Sequence, residues 1–446
     1  MQFFSKTKSA EEDRFYRLDN SAVFMAAIAG SSGPFVFSMY CELEQAVVLP
    51  ALETALNALF PRFPFLFVSL RRGVFWHYLD PVDHPPRIEA EPPFPCSPMP
   101  RRLGHPMIRV TAKGGRITSE FHHVLTDGTG AIAFMKALVV EYLRNIGVGT
   151  ELGESALGES ALGDIRRPDQ PVDPEEEEDA YQRYFKSHAS LPDRSRKSFL
   201  IPGLRLDSGA YRQTVGVVEV SQILGLAKAK GVSVTEYLAS VHLFTLQRLY
   251  ESLDPAKRRK ARPYISIQIP VNLRSIYPSK TLRNFFLFAA PSIDVRLGHW
   301  SFDEILYRVH HQLRLGMGEK ELLRQLKRNV GGERNPLGRP VLLPIKTLVL
   351  RIINQLIGVS AYSGSISNLG ILELPPPFAV PVRRFGFLPA RSKTTGANVG
   401  IMTWKGGLYI FIGSMVARPE FERVFFQTLV SQGCRVKVES NQELIQ

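Results

Sequence analysis

Residues 147–180 constrain this chain more than any other stretch. They hold a tandem GESAL repeat, Gly153–Leu157 and Gly158–Leu162, then a Pro- and Asp-rich run and the acidic cluster Glu175–Asp179. Such a segment has too little apolar surface to offset the entropy lost on ordering it. It reads as a linker or surface excursion, and the repeat as slippage tolerated in a loop. The chain is 446 residues long, beyond the ~250–300 at which single cores stop growing. Two folded units are therefore expected: residues 1–150, a linking excursion over 151–210, and residues 211–446.

Both arms mix strands with helices. In the first, residues 34–43 are β-rich and Leu49–Leu59 reads helical, Pro50 being tolerable in a first turn. Phe65–Leu70 and Val74–Leu79 flank Arg71-Arg72-Gly73 as a hairpin. The proline-rich residues 80–102 read as extended loop. Strands follow at Met107–Ala112 and Arg116–His122, then a helical pattern from Ala131 to Arg144. The second arm restarts with the strand Gln213–Val220 and a helix opened by Ser233 and Glu236, an S-x-x-E capping box. Tyr264–Pro270 and Phe285–Ala290 are apolar without alternation and predict buried strands. Ser301–Arg328 predicts one long helical tract, Ser363–Leu369 a strand, and Pro419–Gln432 a last helix. Asn398–Thr403 and Leu408–Gly413 form a hairpin pattern about Lys405-Gly406-Gly407. Two similar α/β sandwiches side by side are the expected architecture.

Lys and Arg number 55 against 42 Asp and Glu. That surplus can attract anionic partners, but it is spread along the chain, and no nucleic-acid partner is expected. The one block, Lys257–Lys260, reads as a solubilising turn. Cys41, Cys96 and Cys434 lie far apart without a CxxC spacing. A disulfide framework and a structural zinc site are thus not expected, and a reducing, cytoplasmic setting is. The apolar run Ala22–Gly30 follows Glu11-Glu12-Asp13 rather than a basic flank, which argues against a signal peptide. Val341–Tyr362 is interrupted by Pro344, Lys346, Arg351, Asn354 and Gln355 and falls short of the ~20 apolar residues a span requires. As a basic and apolar helix, 341–362 either touches a membrane peripherally or simply covers a sheet.

Chemistry concentrates in His122-His123-Val124-Leu125-Thr126-Asp127-Gly128, where a strand gives way to a helix. Neighbouring histidines on a strand point to opposite faces. They do not grip one metal together, and no metal site is expected. One ring faces the core and the other a cleft or the second arm. Asp127 suits a helix cap, and Gly128 supplies backbone freedom. What emerges is an imidazole at the end of a rigid strand, a natural general base near neutral pH. His310-His311 is an internal control: Leu315 stands where the aspartate would fall, within a continuous helical pattern. The sequence has no P-loop, GxSxG elbow, HExxH, or GxGxxG after a strand. The nucleophile is expected to come from a substrate.

HHVLTDG resembles the HHxxxDG signature of the chloramphenicol-acetyltransferase-like acyltransferase superfamily. That group holds alcohol acetyltransferases, wax-ester synthases, plant acyl-CoA-dependent acyltransferases and peptide-synthetase condensation domains. Other segments agree in order. Arg62 in FPRFPFLF is similar to the arginine of the early R-H-x-x-L-R segment, with Phe67 replacing the second arginine. Ile269–Phe286 resembles the P-V-N-L-R…N stretch, and Ser365–Pro375 the S-N-x-G strand. Arg14–Ser21 is like the opening of a bacterial alcohol-acetyltransferase branch, while the plant-type D-F-G-W-G motif is absent, Arg384–Phe387 being nearest.

The resemblance implies two pseudo-symmetric subdomains with a substrate tunnel between them, and direct acyl transfer with His123 as general base. His122, Asp127, Gly128 and Arg62 would support the site, Arg62 as the partner of Asp127. Ser365, Ser367 and Asn368 are oxyanion or substrate candidates. Asn272 and Arg274 read as structural, and Asn284 is left open. The implied function is an acyl-CoA-dependent O-acyltransferase with an alcohol acceptor, acyl-CoA serving as co-substrate and no cofactor bound permanently. The alternatives are a stand-alone condensation enzyme that uses a carrier-protein thioester with an amine or alcohol, and a non-catalytic binding descendant. The absence of a carrier or adenylation region in this sequence favours CoA.

Overall fold

A computed structural model describes residues 15–30, 33–149, 163–193, 196–207, 209–336, 338, 340–355, 360–392 and 395–441. The first arm contributes strands β1 (Tyr16–Arg17), β2 (Val36–Leu43), β3 (Val68–Arg72), β4 (His77–Pro81), β5 (Glu89–Ala90), β6 (Ile108–Lys113) and β7 (Arg116–His122). The second contributes β8 (Arg212–Glu219), β9 (Tyr264–Asn272), β10 (Phe286–Ala289), β11 (Ser292–Asp294) and β12 (Gly364–Ile371). It continues with β13 (Val382–Leu388), β14 (Ala397–Trp404), β15 (Gly407–Ser414) and β16 (Lys437–Ser440). One sheet runs β13-β2-β7-β6-β5, another β10-β9-β12-β14-β15-β8-β16 with β11 also on β9, and β1-β4-β3 forms a small third.

Helices Leu49–Leu59 and Gly128–Asn145 pack on each other and share a core with the first sheet. Val234–Glu251, Phe302–Gly316 and Glu420–Ser431 share a core with the second. The result is two pseudo-symmetric α/β subdomains. Strand β14 shows how they meet, because it is buried at every residue. Val399 and Ile401 enter the second core, whereas Met402 and Trp404 enter the first. A strand whose side chains alternate between two apolar layers needs no polar face, which explains why only Asn398 and Thr403 along it are polar.

Local signals produce several elements directly. Ser233 and Glu236 make both bonds of the capping box, and Ser301 and Glu304 do the same for the helix they precede. Other segments depart from expectation. The tract Ser301–Arg328 is two helices, Phe302–Gly316 and Glu319–Arg334, parted at Met317 and an extended Gly318. Glycine costs a helix ~1 kcal/mol relative to alanine, so this is where the chain breaks. Lys257–Lys260 is the end of a short exposed helix, Pro255–Lys260, not a turn.

The GESAL repeat lies outside the described residues. The segment after it is packed, not free: Ile165, Ala180 and Tyr181 are buried, and Glu176 is buried against Arg62. A partition at residue 211 assigns Val382–Leu388 to the second arm, yet β13 hydrogen bonds to β2 at the edge of the first sheet. Phe385 and Phe387 bring it there by entering the first core, and Arg384 seals it with an ion pair to Glu42 at 2.6 Å.

Candidate active site

Strand β7 lies between β2 and β6, which sets where its last residue stops. At that point the His123 amide donates to the Phe35 carbonyl at 2.7 Å, and the Leu125 amide to the His122 carbonyl at 3.0 Å. The turn ends at Asp127, whose Oδ1 accepts from the Thr129 amide at 2.9 Å and caps the helix Gly128–Asn145. Gly128 is not in the left-handed region, so backbone freedom is not its purpose. Its bare α-carbon instead makes room for Leu369, whose Cδ2 would lie 2.5 Å from a Cβ there.

The second subdomain closes on this loop through residues 272–286. Arg274 donates to Asp127 Oδ2 at 2.9 Å, and so does the Phe285 amide, also at 2.9 Å. Asn284, fully buried, gives its Nδ2 hydrogens to the His123 carbonyl at 2.8 Å and to Asp19 Oδ2 at 3.0 Å. The Thr126 hydroxyl donates to the Leu282 carbonyl at 2.6 Å. That approach is open because residue 130 is glycine; a Cβ there would sit 2.0 Å from the same carbonyl oxygen. Asp127 therefore joins the two subdomains through Arg274.

Arg62 does not reach Asp127. Its guanidinium is committed to Glu176 in a two-pronged pair at 2.8 and 3.1 Å, and Arg166 adds a third bond to the same carboxylate at 2.8 Å. With both side chains almost wholly buried, a bidentate arginine–carboxylate pair leaves little capacity for a second acid. Arg62 thus anchors the segment that follows the repeat, not the histidine loop.

The two histidines part as strand alternation requires. His122 is buried, its Nδ1 accepts from the Val124 amide at 3.2 Å, and burial, aided by Arg101 and His123, holds its pKa down at about 3. It is a neutral packing group. His123 is only half-buried, and its ring lies against Phe37, centroids 4.5 Å apart, with Phe286 at 6.0 Å. Its Nδ1 is 3.1 Å from the Thr126 carbonyl oxygen. A carbonyl only accepts, so Nδ1 carries the hydrogen and Nε2 the lone pair. Burial holds this ring below the ordinary imidazole range, against the opposing pull of Asp127, the Asn284 side chain and the Thr126 carbonyl. Near neutral pH the site presents an uncharged imidazole with Nε2 as its basic atom.

Strand β12 separates the remaining candidates. Ile366 enters the second core while Leu369 packs on the first, so Ser365, Ser367 and Leu369 share the face that looks toward the histidine loop. Ser365 donates to Asn398 Oδ1 at 2.9 Å. Asn368 is on the other face, donating to Thr235 at 3.0 Å and accepting from the Gly370 amide at 2.9 Å. It is not brought to His123. Ser367 pairs in register with Gly400, against which Phe387 packs, and Phe387 also meets Phe37. The site residues that sequence reasoning passed over are Thr126, Phe37 and Asp19.

No family model matches this sequence, and no curated protein matches it. Solved structures do match in fold. Polyketide synthase associated protein 5 from Mycobacterium tuberculosis superposes with a TM-score of 0.59 at 16% identity, covering 94% of this chain and 97% of that one. The TRI3 trichothecene 15-O-acetyltransferase from Fusarium sporotrichioides gives 0.55 at 12% identity, covering 94% of each chain. The first condensation domain of the CDA synthetase gives 0.55 at 15% identity, covering 94% and 95%. This chain has the fold of condensation domains and of an O-acetyltransferase along almost its whole length.

Proposed function

We propose that this chain transfers an acyl group from a thioester to an acceptor hydroxyl, with acyl-CoA as donor and an alcohol as acceptor. One observation carries the reading. His123 is a neutral, half-buried imidazole at the seam of two subdomains, with Nδ1 committed to Thr126 and Nε2 left as a base. In the proposed reaction Nε2 takes the hydroxyl proton as the acceptor oxygen attacks the thioester carbonyl carbon. The carbonyl π pair moves onto oxygen, giving a tetrahedral oxyanion. Collapse breaks the carbon–sulfur bond, and the departing thiolate recovers the proton from Nε2. Base catalysis of this kind supplies ~10²–10⁴-fold, and positioning and oxyanion stabilisation supply the rest.

The roles divide accordingly. Asp127 and Asn284 are positioning residues: each bonds to the loop or its neighbours, and neither is the base. Ser367, on the face of β12 that looks to the loop, is the proposed oxyanion donor. The likeness in fold to an O-acetyltransferase and to condensation domains supports acyl transfer. The test is thiol release from acetyl-CoA in the presence of a panel of alcohols. Wild-type turnover falling ~10²–10⁴-fold in His123→Ala is expected. Turnover that survives the substitution overturns the base assignment. Turnover only with a loaded carrier protein transfers the reaction to the condensation reading.

A further inference from the structure

The helix Leu343–Ile353 wears its apolar stripe on the outside. Ile345, Leu348, Val349 and Ile352 recur at helical spacing and are 48–59% exposed, while Leu343 alone in this helix is buried. An ordinary amphipathic helix turns that stripe to the core. The helix is nonetheless seated. The Leu343 amide donates to the Val74 carbonyl at 2.9 Å, Lys346 Nζ to the Phe75 carbonyl at 3.0 Å, and Arg351 Nε to the Ala27 carbonyl at 3.1 Å. Val74 and Trp76, in the turn between β3 and β4, extend the strip at 63% and 56% exposure. A contiguous apolar face of this kind marks an interaction site.

Its border is cationic. Arg101 donates to the carbonyls of Ala26 and Ala29 at 3.2 and 3.4 Å, so Arg101 and Arg351 crowd the C-terminal end of the helix Asn20–Ile28. Burial, with Arg72 and Arg351 nearby, pushes the Arg101 pKa below its ordinary value, as expected where guanidinium groups gather. Among the described residues no carboxylate forms an ion pair with Arg72, Arg101 or Arg351.

We infer that this face rests on the surface of an anionic lipid bilayer, with the apolar strip in the interfacial zone and the arginines on lipid phosphates. An apolar helical face bordered by basic groups is the chemistry such a surface selects. The helix of 11 residues lies on a bilayer and does not cross it. The face also has a bearing on the site. Helix Asn20–Ile28 carries Arg101 and Arg351 at one end. At its other end is Asp19, which accepts from Asn284, the residue that holds the His123 carbonyl. Nine residues at ~1.5 Å each separate that basic end from Asp19 by on the order of 15 Å along the helix. Lipid docking itself does not rest on the acyl-transfer reading, because it requires no turnover.

The test is co-sedimentation of the full chain with phosphatidylcholine vesicles, with and without phosphatidylglycerol, read alongside Trp76 fluorescence. Pelleting with the anionic vesicles is expected, weakened by salt. Leu348→Glu/Ile352→Glu should abolish it with the melting temperature unchanged, since both side chains face solvent. Val74→Ser/Trp76→Ser provides an independent second variant, and Arg72→Glu should weaken binding at least about fivefold. No pelleting by the wild-type chain, or undiminished pelleting by both apolar variants, overturns the inference. A dimer that the Leu348/Ile352 variant converts to monomer, without lipid binding, gives the strip to a second copy. Pelleting seen only after residues 1–14 are removed gives it to the chain's own N-terminal segment.

Discussion

Arg274 and Asp127 meet at 2.9 Å across 147 residues of sequence, and their ion pair fastens the second subdomain to the loop that carries His123. Both side chains are about nine-tenths buried. Removing one member strands the other charge, at a cost of ~3–5 kcal/mol. Asp127→Ala is expected to lower stability by that order in chemical denaturation and to lower turnover with it. Arg274→Lys retains the charge but not the forked contacts to Thr281 and Arg283, and should recover only part of either loss.

The pH dependence follows from His123. Burial lowers its pKa below the ordinary 6.5, so the ring is already deprotonated at neutral pH. The rate with acyl-CoA is expected to be flat through neutrality and to fall only on acidification, as Nε2 becomes protonated and can no longer accept. A kcat/KM profile whose acid limb lies above 6.5 contradicts this.

Gly130 and Gly128 make a matched pair. A methyl group at 130 collides with the Leu282 backbone carbonyl and with Thr126 Oγ1, at 2.0 and 2.2 Å. Alanine there usually helps a helix, but here overpacking should cost ~1–3 kcal/mol and push residues 272–286 off the loop. At 128 the obstacle is the tip of a flexible leucine. Gly128→Ala should therefore lose much less, and comparing the two thermal melts and turnovers checks it.

Arg62 gives the opposite signature. Its partner is Glu176, both side chains being at most 4% exposed, and neither touches the histidine loop. Because Arg166 still pairs with Glu176, Arg62→Ala is expected to destabilise by less than the ~3–5 kcal/mol of a fully stranded charge, while kcat at a permissive temperature stays near wild type. A fall in kcat without a fall in stability would return Arg62 to the site.

The features that could be read in the sequence are the short-range ones. Ser233 and Glu236 are three residues apart, so the capping box that starts their helix is visible in the chain. The strand-to-helix break at His122–Gly128 is equally local. The partners were not legible, because a charge does not say which opposite charge it will meet. Arg274 and Arg62 were both available to Asp127, and Glu176 lay in a stretch judged by composition alone. Ser367 and Asn368 are adjacent letters, and strand alternation in the fold is what separates them. Composition marked 341–362 as a basic and apolar helix but carried no information about what lies opposite it.

The crossing of Val382–Leu388 into the first sheet has a consequence for any attempt to dissect the molecule. That strand supplies the β2 edge and two aromatic rings of the first core. A fragment ending near residue 210 would lack all three and would present an unpaired, largely apolar margin to solvent, which invites self-association. The halves behave as interleaved fingers, so complementation should succeed only when both polypeptides are refolded together, and fail when they are purified apart and mixed.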